Sequence, residues 1–554
     1  MEAGLHAGSA ADADRPLRIA LLTYKGNPFC GGQGVYVRHL SRELARLGHQ
    51  VEVIGSQPYP VLDEGDGLDG LSLTELPSLD LYRHPDPFRT PKRDEYRDWV
   101  DALEVGTMWT GGFPEPLTFS LRARRHLRAR RGDFDVVHDN QTLGYGLLGD
   151  VGAPLVTTIH HPITVDRQLE LDAAEGRRRR MSVRRWYAFT RMQKRVARRL
   201  PSVLTVSGTS RQEIVDHLGV RDDRIHVVHI GADTDLFSPD PSVPQVPGRI
   251  VTTSSADVPL KGLVFLVEAL AKVRTEHPAA HLVVVGKRAE DGPVAQLIER
   301  YGLEGSVEFV KGISDAELVD LVRSAEVACV PSLYEGFSLP AAEAMATGTP
   351  LVATTGGAIP EVTGPDGETC LAVRPGDAGA LAAGLSRLLG DPRLRERLGS
   401  AGRSRVLERF TWAKAAEGTV ARYREAIAGG DRSAAGARSR SAAQPQSRSA
   451  AGDDRSAPQH PGRSAATQDA DPAPATSPAL ASATPLDLAS ATPPDLASAT
   501  PPGGASAIPL GMASTTPPAP APATPATVAP ATPLSVAPAT TPVDTPHRES
   551  RTTC

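Results

Sequence analysis

Pro331-Ser-Leu-Tyr-Glu335-Gly-Phe-Ser-Leu-Pro340-Ala-Ala-Glu343-Ala-Met-Ala-Thr-Gly-Thr-Pro350 is the stretch on which the reading of this chain turns. The apolar run 327–330 before it reads as a strand, and Pro340 opens a helix, a place that suits proline because the first helical N–H has no partner anyway. Between them, Gly336, Phe337, Ser338 and Leu339 form a loop whose free backbone N–H groups, together with the helix dipole, can be aimed at an anion. Glu335 stands just before that loop and Glu343 falls in the first turn of the expected helix. Both carboxylates can therefore face one ligand lying over the helix start. A carboxylate accepts two hydroxyl donors, which suits the diols of a ribose or a hexose. Without their flanks the two glutamates have plainer roles, Glu343 complementing the helix N-terminus and Glu335 standing in solvent.

Working outward, short apolar runs alternate with amphipathic segments from Arg18 onward, the pattern of βαβ units on a parallel sheet. Strands are expected at 18–23, 51–54, 135–138, 155–159 and 203–207, then at 249–254, 281–286, 307–310, 327–330 and 351–354. Helices are expected at 35–47, 209–218, 263–273, 315–324 and 340–346. Two series, each with a fresh start, predict two Rossmann-like domains. A (β/α)₈ barrel would also alternate, but the polar, Pro-rich segment 238–248 reads as an interdomain linker. The segment 58–116 has weak periodicity and reads as a long, partly irregular insertion in the first domain.

The 554-residue chain changes character near Gly429: every Phe, Trp and Tyr precedes it, and Ala, Pro, Thr and Ser dominate beyond it. Arg-Ser-Ala recurs from Arg432 to Arg463, and Leu-Ala-Ser-Ala-Thr-Pro starts at Leu480, Leu488 and Leu496. Repeats without aromatics bury too little apolar area to offset chain entropy, so a disordered, extended tail is expected over 429–554. The net charge of −5 carries no polyanion signal, and no nucleic-acid reading module accompanies the basic residues. The four cysteines lack metal or redox spacing, which fits a reducing cytoplasm. The acidic, Ala/Gly-rich residues 1–16 have no apolar core and are expected to be disordered rather than a signal peptide. No run approaches the roughly 18 apolar residues of a membrane span. Between Arg177 and Arg199 there are eleven Arg or Lys and no acid. That run reads either as the solvated face of a packed helix or as an interfacial helix that meets an anionic membrane from the cytoplasmic side. A phosphorylated acceptor is the further alternative.

The quoted stretch resembles the Glu-x₇-Glu motif of family 4 glycosyltransferases, with its Pro-Ser-x-x-Glu-Gly-Phe lead and its Glu-Ala-Met-Ala-x-Gly-x-Pro exit. The resemblance extends over most of residues 17–428. Gly31-Gly32-Gln33-Gly34 is similar to the family's N-terminal glycine loop, and His229 to Pro239 to its interdomain connector. Lys261-Gly262, Gly286, Gly312 and Gly356-Gly357-x-x-Pro-Glu361 fall in the family's order, and Phe410-Thr-Trp412 is similar to its final helix start. The resemblance implies a GT-B fold: an acceptor domain over 17–238 and a donor domain over 239–410 facing across a cleft, with a helix over 411–428 crossing back. It implies transfer of a sugar from a nucleoside-diphosphate sugar, as co-substrate, to an acceptor with retained configuration. No cofactor and no metal is expected, and the acceptor is a small molecule or lipid-linked.

By position, the resemblance implies that Glu343 binds the nucleotide ribose and that Glu335 contacts the transferred sugar near its anomeric carbon. The backbone amides of Phe337, Ser338 and Leu339 would hold sugar and diphosphate. Lys261 would neutralise the departing diphosphate, and Gly31 and Gly32 would let backbone approach the phosphates. Gly286 belongs to the same donor set. His160 is similar to the family's active-site histidine, while the neighbouring His161 is an open assignment and Asp139 and Asn140 are weaker acceptor-side candidates. The chain departs from the pattern at Ala256, where the family usually has a second cation, an Arg. Ser254, Ser255 or Arg288 are the candidate substitutes. Cys370 stands where the family usually has Gly. Because of Ala256, a scaffold that binds nucleotide sugar without turnover is the alternative reading. A phosphorylase or epimerase on the same fold is a third.

Overall fold

The structure, a computed structural model, describes residues 15–26, 32–83, 86–254, 258–287 and 292–442. Gly31, Ser255, Ala256, Arg288, the expected disordered N-terminus as far as residue 14, and the tail beyond Ala442 lie outside the described residues.

Two all-parallel sheets organise the chain. The first holds β1 (Arg18–Thr23), β2 (Gln50–Gly55), β3 (Leu71–Glu75), β4 (Val136–Asn140), β5 (Leu155–Thr158), β6 (Val203–Thr205) and β7 (Ile225–Val227) in the order β3-β2-β1-β4-β5-β6-β7. The second holds β8 (Val246–Thr253), β9 (His281–Val285), β10 (Val307–Val310), β11 (Ala325–Val330), β12 (Leu351–Thr354) and β13 (Leu371–Val373) in the order β10-β9-β8-β11-β12-β13. Side chains alternate between the two faces of a strand, and in β1 both faces are apolar. Ile19 and Leu21 pack with Val37 and Leu40 of the helix Gly32–Arg46. Ala20 and Leu22 pack with Phe119 and Ala123 of the helix Glu115–Ala129. In β8, Ile250 and Val251 likewise enter different clusters. Strands buried on both faces must read as continuous apolar runs, which is why most were visible in the sequence. Cys370 is fully buried in the second domain's core.

The chain returns to the first domain through the helix Trp412–Ala442. Its Trp412, Ala416 and Tyr423 join the cluster of Leu17, Tyr36 and Leu40, and the Tyr423 hydroxyl lies 2.6 Å from Nδ1 of buried His138. The helix runs beyond the expected end at 428. Residues 431–442 are mostly good helix formers, Ala and Arg, and the next proline is Pro445.

Two segments gain detail beyond what the sequence shows. The segment 58–116 is more regular than its composition suggested, since it supplies the edge strand β3 and the helix Trp99–Trp109. Asp98 caps that helix, accepting from the N–H of Val100 at 2.9 Å and of Asp101 at 3.3 Å. Its periodicity was masked by buried charges, because Asp101 and Glu104 point inward to Arg122. The basic run forms the helices Gly176–Trp186 and Thr190–Ala197, but Trp186, Phe189, Met192 and Val196 are core residues. The Trp186 ring lies 5.3 Å from that of Phe113 and 5.7 Å from that of Tyr82. The run is thus a packed helix pair with a solvated basic face, the first of its two readings, and its rings belong to the core of the domain. Arg177, Arg178, Arg180, Arg184, Arg185 and Met181 form the exposed face.

Candidate active site

In an open parallel sheet, ligands bind beyond the carboxyl ends of the strands, at the point where strand order reverses. In the second sheet that point lies between β8 and β11, and the quoted stretch begins where β11 ends. Lys261 arrives on the short turn Pro259–Lys261 that follows β8. Its Nζ lies 2.8 Å from Oε1 of Glu335, and the Ser332 hydroxyl donates to the same oxygen at 2.7 Å. Glu335 is only 2% exposed, so both donors offset the cost of burying its charge. The Leu333 N–H bonds the Leu260 carbonyl at 2.7 Å, which ties the two loops together. Two glycines permit this approach. Gly262 has φ +69°, and a Cβ there would stand 2.0 Å from the Pro331 carbonyl oxygen. Gly357 has φ +61°, and a Cβ there would stand 2.4 Å from the Glu335 carbonyl oxygen, which accepts from the Ala358 N–H at 2.8 Å.

Ser338 precedes the helix Leu339–Ala346 but does not cap it; its hydroxyl is fully buried with no hydrogen-bond partner among the described residues. The Ser254 hydroxyl, at the end of β8, is also buried without such a partner. Unpaired buried polar groups are costly, and these two lie at the ligand edge of the sheet. Glu343 sits one turn into the helix rather than in its first turn, because the helix begins at Leu339. It is half-buried and lines a pocket with Leu339, Asp233, Trp412 and the Arg38, His39 and Arg42 side chains of the opposite domain. The Phe337 ring turns away toward Phe410, at 5.9 Å, and His229, at 6.5 Å. Gly286 closes β9, with its N–H bonded to the Val310 carbonyl at 2.9 Å.

On the first domain, His160 follows β5. Its Nε2 lies 2.8 Å from Oδ1 of Asn140, its N–H bonds Oε1 of Gln141 at 2.6 Å, and its ring meets the Tyr36 ring edge-on at 4.7 Å. An amide oxygen only accepts, so Nε2 carries the proton and Nδ1 a lone pair. Burial, reinforced by the neighbouring His161, lowers the His160 pKa to about 3, leaving a neutral imidazole. His161 differs: burial opposes its charge, but Asp166, 2.9 Å away, and Glu213 raise its pKa overall. Asn140 thus orients His160. Asp139 instead holds the turn after β4, accepting from the N–H groups of Thr142 and Leu143, and burial raises its pKa to about 6. Gly32 opens its helix, and a Cβ there would meet no atom of the described residues within 4 Å.

Sequence reasoning missed Tyr36 and a pair at the end of β1. Lys25 lies 3.6 Å from Glu115 and 5.2 Å from the centre of the Phe113 ring. Burial raises the Glu115 pKa to about 7, against Lys25 and with the help of Glu104 and Asp80. No short motif announces such pairs, because their partners are distant in sequence. Among the described residues no group of three or more His, Cys, Asp or Glu side chains is placed to hold a metal ion, and no helix is long and apolar enough to cross a membrane.

Two facing Rossmann-like domains, with the donor-type loops gathered at one sheet's switch point, define the GT-B architecture. Residues 30–236 match the family model Glycosyltransferase Family 4, and residues 239–405 match Glycosyl transferases group 1. The chain belongs to this family and is a glycosyltransferase. It is similar, at 55% identity over 415 residues, to the MMP alpha-(1->4)-mannosyltransferase of Mycolicibacterium hassiacum, covering 74% of this chain and 99% of that protein. It is 28% identical to a D-inositol 3-phosphate glycosyltransferase of Kineococcus radiotolerans, over 74% of this chain and 95% of that one. Among solved structures, sucrose-phosphate synthase from Thermosynechococcus elongatus superposes with a TM-score of 0.55 at 24% identity, over 74% of this chain and all of that one. Anabaena HepE in complex with UDP-glucose gives 0.51 at 18% identity, over 74% of this chain and 99% of that one. Both structural likenesses concern the fold.

The state of His160 gives a pH dependence. An unfolded histidine takes up its proton near pH 6.5, the folded His160 only near pH 3, so between those values the unfolded chain binds more protons. The stability from this group is complete above about pH 6.5 and is lost as pH falls toward 3. Melting temperature should therefore fall less steeply between about pH 7 and pH 4.5 in His160→Gln than in the wild type. Parallel curves would contradict a His160 that the fold holds neutral.

Proposed function

We propose that the protein transfers a hexosyl group, mannosyl by analogy with the 55% identical relative, from a nucleoside-diphosphate sugar to a hydroxyl of a saccharide acceptor, with retained anomeric configuration and without a metal ion. The observation that carries the reading is the Lys261–Glu335 pair at the switch point of the second sheet, on the same ligand edge as the buried hydroxyls of Ser254 and Ser338, which have no partner among the described residues. Hydroxyls donate, and a diphosphate offers only acceptors. In this reading Lys261 stabilises the diphosphate as the bond from C1 to the phosphate oxygen breaks, which is electrostatic stabilisation of developing charge. Ser254 and Ser338 add donors where the second cation of the family pattern is replaced by Ala256. The amides of Phe337 to Leu339 help hold sugar and phosphate, with Gly32, Gly31 and Gly286 keeping the approach clear.

Glu343, in the pocket, accepts from the ribose hydroxyls, and Glu335 accepts from the transferred sugar while fixing Lys261. The acceptor oxygen attacks C1 from the face the diphosphate leaves, and its proton passes to the leaving phosphate oxygen. Neutral His160, oriented by Asn140, borders the reacting centre from the acceptor side. The scaffold alternative is not favoured, since these groups stand assembled. We place the enzyme in the cytoplasm, and the exposed arginines of the helix Gly176–Trp186 support peripheral, electrostatic contact with an anionic membrane. Each engaged basic residue adds roughly 1 kcal/mol to such contact.

Incubation with radiolabelled GDP-, UDP- and ADP-sugars and short mannosides, in EDTA, tests the proposal. A product with the donor's anomeric configuration is expected. Inversion, or activity that returns only with Mg²⁺ or Mn²⁺, would sink the corresponding part. For the membrane contact, co-sedimentation with anionic vesicles should fall with salt and in a variant with Arg177 to Arg180 changed to Ser; equal pelleting with neutral vesicles would overturn it.

A further inference from the structure

We propose that Glu361 is a positioning residue: its carboxylate clasps the first domain and so sets the loop around Glu335 for transfer, while nucleotide binding does not depend on it. The proposal rests on the glycosyltransferase reading and deepens it.

The clasp is built from both sides of the cleft. On the first domain, the helix Gly208–Glu213 continues through the wider turn Ile214–Leu218, and Ser207 caps it, accepting from the Ser210 N–H at 3.0 Å. Glu361 of the second domain reaches this helix start with both oxygens. Oε2 accepts from the Gly208 N–H at 2.8 Å, and Oε1 accepts from the Thr209 N–H and the Thr209 hydroxyl at 2.9 Å each. A carboxylate satisfies amides that a helix leaves unpaired at its start and meets the positive end of the helix dipole. Glu361 is itself held, because Arg405 donates to its carbonyl at 2.9 Å and to that of Val362 at 2.8 Å.

The same helix grips the donor loop on either side of Glu335. The Ser207 hydroxyl donates to the Gly336 carbonyl at 2.6 Å, with Ser210 adding a longer bond at 3.4 Å, and the Tyr334 hydroxyl bonds Glu213. Glu335 is thus bracketed by two residues tied to the first domain, while Lys261 and Ser332 hold its side chain from the second. The approach is close. A Cβ on Gly336 would lie 3.3 Å from the Ser210 hydroxyl and 3.9 Å from the His160 carbonyl oxygen. Every group assigned above to donate to the diphosphate or accept from the ribose, by contrast, belongs to the second domain, and the first domain's Gly31 and Gly32 serve only to keep the approach clear. Releasing the clasp should therefore loosen the reacting geometry and leave the nucleotide's own contacts in place.

Glu361→Ala and Glu361→Gln, made in the full chain, test this with two readouts. The first compares kcat at saturating donor and acceptor with the calorimetric Kd of the nucleoside diphosphate that the wild type binds. Glu361→Ala should lose ten-fold or more in kcat with Kd changed less than two-fold. Glu361→Gln, which keeps one accepting oxygen, should fall between. Unchanged kcat, or a Kd weakened in step with kcat, overturns the proposal. The second readout is X-ray scattering without ligand, where Glu361→Ala should have a larger radius of gyration than the wild type; equal radii also overturn it. Scattering reports on the clasp independently of turnover. A wild type that transfers no sugar, alongside a Glu361→Ala variant with the larger radius, would refute the enzymatic reading and leave the clasp standing.

Discussion

The 2.8 Å contact between Lys261 and Glu335 is the constraint around which the donor side is arranged. A carboxylate as buried as Glu335 needs a paired donor, and removing one partner of a buried ion pair typically costs about 3–5 kcal/mol. Satisfying it brings together the turn after β8 and the loop after β11. Gly262 and Gly357 are glycines because the backbone of Pro331 to Glu335 passes where their side chains would be. The geometry expected from a long motif thus has a local physical cause, which is close packing of three loops about one buried charge.

That packing also explains why the donor half was legible in the sequence. Its residues cluster in short segments, each anchored to a strand whose two buried faces force an apolar run. The glycines mark backbone approaches that no other residue permits. The acceptor half was less legible. His160 could be found at a strand end, but the Tyr36 ring that packs against it and the Asn140 amide that orients it come from other elements. Lys25 and Glu115 are distant in sequence and meet only through the fold of the segment 58–116.

What stayed hidden shares one cause, which is that position in sequence does not reveal which face a side chain takes. In the basic run, the charge count does not reveal that the interleaved aromatic residues lie in the domain's own core, around Phe113 and Tyr82. In the helix Trp99–Trp109, inward-pointing Asp101 and Glu104 broke the periodicity that would have announced it. Edge strand β3 has only partly buried side chains and lacked the apolar run of its neighbours. The motif at Glu361 was visible, but nothing in the chain's order shows that its carboxylate crosses to the helix behind Ser207.

The central claim is that the switch point of the second sheet is a diphosphate site whose cation is Lys261. Calorimetric titration of Lys261→Met with a nucleoside diphosphate and with the matching nucleoside tests it most directly. The account predicts at least a ten-fold loss for the diphosphate, about 1.4 kcal/mol, with nucleoside affinity unchanged. Undiminished diphosphate affinity would contradict it.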